Sequence, residues 1–326
     1  MKTEHFYENQ INQAAKLIQE GKTVAFPTDT VYGLGADARN EEAVQKIFAA
    51  KGRPADRALT ILIAEKETMS QYAKNIPAEA FLLTDHFWPG PLTIILQAKG
   101  NLAPAVTAGL NTVGMRMPAD PIALKFIQAS GVPLATPSAN LSGRPSPTTA
   151  EHVLADLEGK IAAIIDGGET DSGIESTVLD LSNSEKPVIL RPGAITKGQI
   201  ERLIGKKVLK NKKKSNNEKK EKHYQPVIPI YLVQSNWRQA FEQMKEEKVA
   251  LLASEEIVKR YGKEVLESYS LGKIEALKEA QKSFFKAIRT LEKSEATVIL
   301  AELYPENEAS EAYLNRLEKA ATGKII

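Results

Sequence analysis

Short apolar runs alternate along this chain with longer stretches whose apolar residues recur at helical spacing. In the first two thirds, runs at Thr23–Phe26, Leu59–Ile63, Leu92–Gln97, Thr112–Met117, Ile161–Ile165, Thr177–Asp180 and Val188–Arg191 predict strands. Helices are predicted over Gln10–Gln19, Glu41–Ala50, Ala78–Phe87, Pro121–Ser130, Thr149–Leu157 and Lys197–Leu203. The last third repeats the pattern on a smaller scale. Strands are predicted at Ile228–Val233, Val249–Ala253, Ser268–Leu271 and Thr297–Ala301, and helices at Trp237–Glu246, Ile274–Leu291 and Glu308–Ala321. Strands interleaved with helices predict an α/β (α+β) sheet domain, followed by a small open sheet of βαβ type.

Between the two patterned regions lies Lys206-Lys-Val-Leu-Lys-Asn-Lys-Lys-Lys-Ser-Asn-Asn-Glu-Lys-Lys-Glu-Lys222, a segment too charged and too poor in large apolar residues to pack a core. It divides the chain into a first domain at 1–205, a basic linker at 206–226 and a second domain at 227–326, in keeping with a length of 326 residues. Charge follows the same division. Residues 1–205 hold 19 Lys/Arg and 23 Asp/Glu, residues 206–222 hold 9 Lys and 2 Glu, and residues 223–326 hold 15 and 16. The overall +2 therefore hides two weakly acidic domains, and neither is a basic nucleic-acid binder by bulk charge. The lysine-rich segment reads as a solvated linker, with a phosphate-attracting arm that contacts RNA as the alternative.

The chain has no cysteine, which removes disulfides, thiolate metal sites and a cysteine nucleophile, and fits a reducing cytosol. Polar residues fill the N-terminus where a signal peptide needs an apolar run. No segment approaches the roughly 20 apolar residues needed to cross a bilayer, so a cytoplasmic protein without a membrane partner is expected. The four histidines, His5, His86, His152 and His223, are not spaced as metal ligands, and no protein-built metal site is expected. No Gly-x-Ser-x-Gly elbow occurs either.

What the sequence does carry is a set of polar turns hung on apolar strands. Phe26-Pro-Thr-Asp-Thr-Val-Tyr-Gly-Leu-Gly35 places hydroxyls after a strand, with a glycine-punctuated turn whose two glycines allow positive φ or close backbone approach. Lys51-Gly-Arg-Pro54, with Arg57, puts three cations within seven residues. Pro54 forces Arg53 onto extended backbone. Thr136-Pro-Ser-Ala-Asn140 offers donors and acceptors at a strand end. In Ser146-Pro-Thr-Thr-Ala-Glu151, Ser146, or Thr148 with Glu151, is placed to cap a helix whose N-terminus suits a phosphate. Asp166-Gly-Gly168, Gly173-Ile-Glu-Ser-Thr-Val178 and Leu190-Arg-Pro-Gly193 are further turns, with Ser176 and Arg191 facing a ligand. Arg116, inside Val113-Gly-Met-Arg-Met-Pro118, needs a carboxylate or phosphate partner if it is buried. This inventory suits electrostatic catalysis on anions that bring their own nucleophile.

Taken together the segments resemble the threonylcarbamoyl-AMP synthase family, the two-domain type with a YrdC-like first domain. The matching motifs are those at 27–34, 51–54, Trp88-Pro-Gly-Pro-Leu-Thr93, 116–118, 137–140, 173–177 and 190–193, in family order. His223-Tyr-Gln-Pro226 and Asn315-Arg-Leu-Glu-Lys-Ala-Ala321 resemble two further family segments. The resemblance implies a YrdC-like twisted mixed sheet flanked by helices, and a smaller C-terminal Rossmann-like open sheet. It implies synthesis of threonylcarbamoyl-AMP from L-threonine, bicarbonate and ATP, with pyrophosphate released and Mg²⁺ carried by the ATP. The product would pass to the threonylcarbamoyl-transfer machinery that modifies tRNA. By the same resemblance Lys51, Arg53, Arg57, Ser138, Asn140, Thr148, Arg191 and Tyr224 would hold ATP, with Lys51 and Arg53 catalytic. Thr30, Tyr32, Leu62, Arg116 and Ser176 would line the threonine side, although relatives often carry His at the position of Leu62. A carbamoyl-transferring relative of the hydrogenase-maturation type would bring cysteine-bearing zinc-finger segments, which this chain lacks.

Overall fold

The computed structural model describes residues 2–211 and 224–321, which form two compact units. The first takes in 2–142, 147–171 and 175–211, and the second takes in 143–146, 172–174 and 224–321. Two short stretches of the N-terminal part of the chain thus belong to the second unit. The segment at 212–222 and His223 lie outside the described residues, so both readings of the lysine run do too.

Among its described residues the first unit is built on one sheet of twelve strands. These are β1 (Glu4–Phe6), β2 (Val24–Phe26), β3 (Gly33–Asp37), β4 (Thr60–Leu62), β5 (Ala73–Lys74), β6 (Leu92–Ala98), β7 (Thr112–Arg116), β8 (Leu134–Ala135), β9 (Ala163–Ile165), β10 (Thr177–Asp180), β11 (Val188–Arg191) and β12 (Leu209–Lys210). They run in the order β1-β9-β2-β3-β8-β4-β7-β6-β10-β11-β12, with β5 also on β6. Parallel pairs such as β4 with β7 and antiparallel pairs such as β2 with β3 make the sheet mixed. Side chains alternate between its two faces. Ala25, Ile61 and Ile164 pack into one apolar cluster, while their neighbours Val24, Phe26, Leu62, Ala163 and Ile165 pack into the other.

Local chemistry sets the helices that flank this sheet. Asn40 caps Glu41–Lys51 by accepting from the Ala43 N–H, and Gly52 ends that helix at φ 59°. Asp120 caps Pro121–Ser130 with proline in its first turn. Thr196 and Gln199 form a capping box at Lys197–Ile204.

Three expectations are corrected here. Gly33 and Gly35 are not turn residues but open β3. Gly33 serves close approach, since a Cβ there would lie 2.4 Å from Thr136 Cγ2. The cap of Ala150–Leu157 is Thr149, not Ser146 or Thr148. The start of the basic segment does pack: Val208 is buried in the first unit's core, and β12 pairs with β11.

In the second unit β13 (Ile230–Val233), β14 (Val249–Ala253), β15 (Glu267–Ser270) and β16 (Val298–Glu302) form an all-parallel sheet in the order β13-β16-β14-β15. Every residue of β14 and β16 is buried, the pattern of a sheet covered on both faces. The helix Glu255–Tyr261, which the apolar pattern did not predict, follows β14. The stretch 143–146 is tied in by Arg144, which donates to both Glu292 oxygens at 3.1 and 2.6 Å, and by Arg289, whose Nη2 donates to Pro145 O at 2.6 Å.

Candidate functional site

The loop between β2 and β3 begins with a hydroxyl relay. Thr28 Oγ1 donates to Val31 O at 2.7 Å, so the 2.9 Å contact between the Thr28 and Thr30 hydroxyls has Thr30 as donor. Thr30 Oγ1 in turn accepts from Arg116 Nη1 at 2.8 Å. Arg116 stands at the end of β7, and its Nε donates to Gly90 O at 3.1 Å while its Nη2 donates to Asp29 Oδ1. This is the carboxylate partner that a buried arginine requires, since Arg116 and Asp29 are both about 6% exposed. The need for a partner is legible in the sequence but the residue is not, although Asp29 sits beside Thr30 in the same motif.

Tyr32 is fully buried, with its hydroxyl donating to Gly168 O at 2.7 Å and accepting from Gly167 N at 3.2 Å. Burial pushes its phenol well above the usual range, although the hydrogen bond from Gly167 works the other way. Tyr32 therefore pins the Asp166–Gly168 turn instead of offering a free hydroxyl to a ligand. Leu62 pairs in register with Arg116 on the neighbouring parallel strand and joins the apolar cluster with Phe26, Phe126 and Leu134.

Lys51 closes the helix Glu41–Lys51 and is buried. Its Nζ donates to Ser138 O at 2.5 Å and to Asn140 O at 2.6 Å, while its own carbonyl accepts from Ser142 N at 2.8 Å. The Pro137–Asn140 loop is also held by β3 and the residue before it: Leu34 N donates to Pro137 O at 2.8 Å, and Ala139 N donates to Tyr32 O at 2.8 Å. Burial, together with the nearby Arg53 guanidinium, pulls the Lys51 ammonium down to about 7, and Asp156 opposes this. Arg53 and Arg57 are half-buried in the loop beyond the helix, with Arg53 Nη2 3.4 Å from Ala58 O.

On β10's side of the sheet, Ser176 Oγ contacts Thr93 Oγ1 at 2.8 Å. Arg191 reaches the same serine twice, Nε to Ser176 O at 3.0 Å and Nη2 to Ser176 Oγ at 3.1 Å. Gly193 makes that approach possible, because a Cβ there would lie 2.2 Å from Thr177 N. Thr93 is the residue missed here; it lay inside the Trp88–Thr93 motif without a role of its own. Thr148 is fully buried with its hydroxyl 3.3 Å from His152 Nδ1, and its carbonyl accepts from Thr170 N at 3.0 Å. Tyr224 belongs to the second unit, where its ring lies 5.2 Å from that of Phe285.

Among the described residues no three His, Cys, Asp or Glu side chains are grouped to hold a metal ion, and no helix is long and apolar enough to cross a membrane. What the first unit assembles is a set of fixed cations and hydroxyls drawn from distant parts of the chain, an arrangement that can bind and align anions.

Comparisons with known proteins give this arrangement its relatives. A family profile described as telomere recombination matches residues 16–193, and one described as the C-terminal domain of threonylcarbamoyl-AMP synthase matches residues 195–322. The threonylcarbamoyl-AMP synthase of Bacillus subtilis is 44% identical, covering 97% of this chain and 94% of its own. The one from Pyrococcus abyssi is also 44% identical, over 99% of this chain and 97% of its own. The crystal structure of P. abyssi Sua5 complexed with L-threonine superposes with a TM-score of 0.90 at 42% identity, covering 100% of this chain and 99% of that one. E. coli YciO matches with a TM-score of 0.52 at 27% identity, over 58% of this chain and 95% of its own. Profiles over both parts of the chain and relatives alike along its whole length lead to one conclusion: the chain belongs to the threonylcarbamoyl-AMP synthase family.

Proposed function

We propose that the first unit carries out the family reaction, the synthesis of threonylcarbamoyl-AMP and pyrophosphate from L-threonine, bicarbonate and ATP. One observation carries this reading: candidate residues far apart in sequence are bonded to one another, Arg116 to Thr30, Lys51 to Ser138 and Asn140, and Arg191 to Ser176. The P. abyssi relative was solved with L-threonine. In this chain Arg116, Thr30 and Ser176 take the threonine side. Lys51, Arg53 and Arg57 take the phosphates, and Ser138, Asn140, Thr148 and Arg191 the rest of the nucleotide.

The chemistry needs no protein nucleophile. Threonine's amine combines with CO₂ from bicarbonate, losing a proton, to give a carbamate. A carbamate oxygen attacks the α-phosphorus of ATP, the bond to the bridging oxygen breaks, and pyrophosphate leaves. The protein aligns two anions and neutralises the charge that builds on the leaving group, work for fixed Lys and Arg side chains. Alignment alone can lower such a barrier by roughly 7–11 kcal/mol. Mg²⁺ comes with the triphosphate as part of the substrate. The product would serve threonylcarbamoyl transfer to tRNA, and a cytoplasmic location is proposed with it.

Pyrophosphate release from ATP, measured with threonine and bicarbonate omitted in turn, tests the proposal. Release should fall to background in either omission, and release indifferent to both would refute the reaction.

The Lys51 ammonium adds a pH dependence with a definite sign. A group titrating at about 7 in the free enzyme is charged below that pH and loses its charge above it. The kcat/KM for ATP is therefore expected to fall as pH rises beyond about 7. A bound triphosphate favours the ammonium, so kcat should be flatter. In Lys51→Arg the side chain stays charged, and the alkaline limb of kcat/KM should disappear.

A further inference from the structure

Asp29 does more than neutralise Arg116. Its Oδ1 accepts from Arg116 Nη2 and from the Ala119 backbone N–H, the latter at 3.1 Å. Its Oδ2 is buried and accepts no hydrogen bond from the described residues. A buried carboxylate oxygen without a donor bears its full desolvation cost, and folded proteins keep few such atoms. Nearby hydroxyls do not relieve it. The Thr30 hydrogen goes to Thr28 Oγ1, and the Thr28 hydrogen goes to Val31 O.

Arg116, for its part, has three of its five N–H groups engaged, by Gly90 O, Thr30 Oγ1 and Asp29 Oδ1. Spare guanidinium donors thus stand on the same ion pair as an acceptor that lacks a donor. An α-amino acid is the complement of that couple: its carboxylate takes the donors, and its amino group, two bonds away, supplies the missing one.

We propose that Asp29 binds the amino group of the amino-acid substrate through Oδ2, while Arg116 takes the carboxylate. This rests on the threonine reading of the site. It makes Asp29 the residue that distinguishes an amino acid from a plain hydroxy acid and holds the amine where its carbamate must form.

The test is calorimetric binding of L-threonine and of (R)-3-hydroxybutanoate, the same molecule without its amino group, to the full chain and to Asp29→Asn. Asparagine keeps an oxygen for Arg116 and Ala119 but loses the charge that favours an ammonium group. The unsubstituted chain should prefer threonine by about 10- to 100-fold, the worth of a charge-assisted hydrogen bond. In Asp29→Asn that preference should shrink to within about 3-fold through weaker threonine binding, with 3-hydroxybutanoate little changed. Equal weakening of both ligands would make Asp29 only a positioning residue for Arg116 and overturn the proposal, as would an unaltered preference. Should Asp29→Asn not fold, the unsubstituted chain decides alone: no preference between the two ligands overturns the assignment, and a preference of about 10-fold or more supports it. A chain that binds neither ligand refutes the threonine reading itself, and the role of Asp29 with it.

Discussion

Lys51→Ala should lower the rate of threonine-dependent pyrophosphate release at least ~100-fold, the usual consequence of deleting a donor that meets developing charge. Two separate losses contribute. The first is the ammonium on the phosphates. The second is the tie to Ser138 O and Asn140 O, which anchors the Pro137–Asn140 loop to the end of the helix. A hydrogen bond from a charged donor is worth about 1.5–3 kcal/mol, so the variant should also melt earlier than the parent. Arg53→Ala separates the two effects. Arg53 is half-buried where Lys51 is buried, so its removal should cut turnover by a similar factor with a smaller change in melting temperature. Single-turnover rates and thermal unfolding on both variants check the pair. Near-normal rates in both would show that the cations serve the fold and not the reaction.

Much of the architecture can be read from the chain, because the strands that build the sheet interior are short apolar runs between turn residues. Thr177–Asp180 and Val188–Arg191 coincide with β10 and β11, and Ala78–Phe87 and Pro121–Ser130 are helices at the expected limits. The strands that escaped prediction, β1, β5 and β12, are two or three residues long, too short for a period-two pattern to show. β3 escaped for another reason. Its two glycines suit a turn as well as a close approach, and only the tertiary neighbours Phe26 and Thr136 decide for the approach. The site was partly legible in the same sense. A buried arginine announced that it needed a partner, but whether Asp29, another carboxylate or a bound anion supplied it depends on how β7 meets the loop after β2. Tyr32 shows the converse. Its motif suggested a ligand contact, and the fold spends its hydroxyl on Gly167 and Gly168.

The largest effect on stability is expected from Arg116→Met. The parent buries a guanidinium and a carboxylate together, and the attraction between them offsets much of what each loses on leaving water. Methionine fills part of the volume but leaves the Asp29 carboxylate buried beside the hydroxyls of Thr28 and Thr30, whose hydrogens run the other way. Breaking a buried pair from one side typically costs about 3–5 kcal/mol, and urea unfolding should register a loss of that size. Asp29→Asn in the same chain removes the stranded charge, so the double variant should be more stable than Arg116→Met alone, a non-additivity that two independent residues would not show. Activity should not follow stability. The double variant regains a folded first unit but has neither the guanidinium for threonine's carboxylate nor the charged acceptor for its amine, so its KM for threonine should stay high while its KM for ATP returns towards the parent value. Recovery of both together would mean that the pair matters to catalysis only by keeping the unit folded.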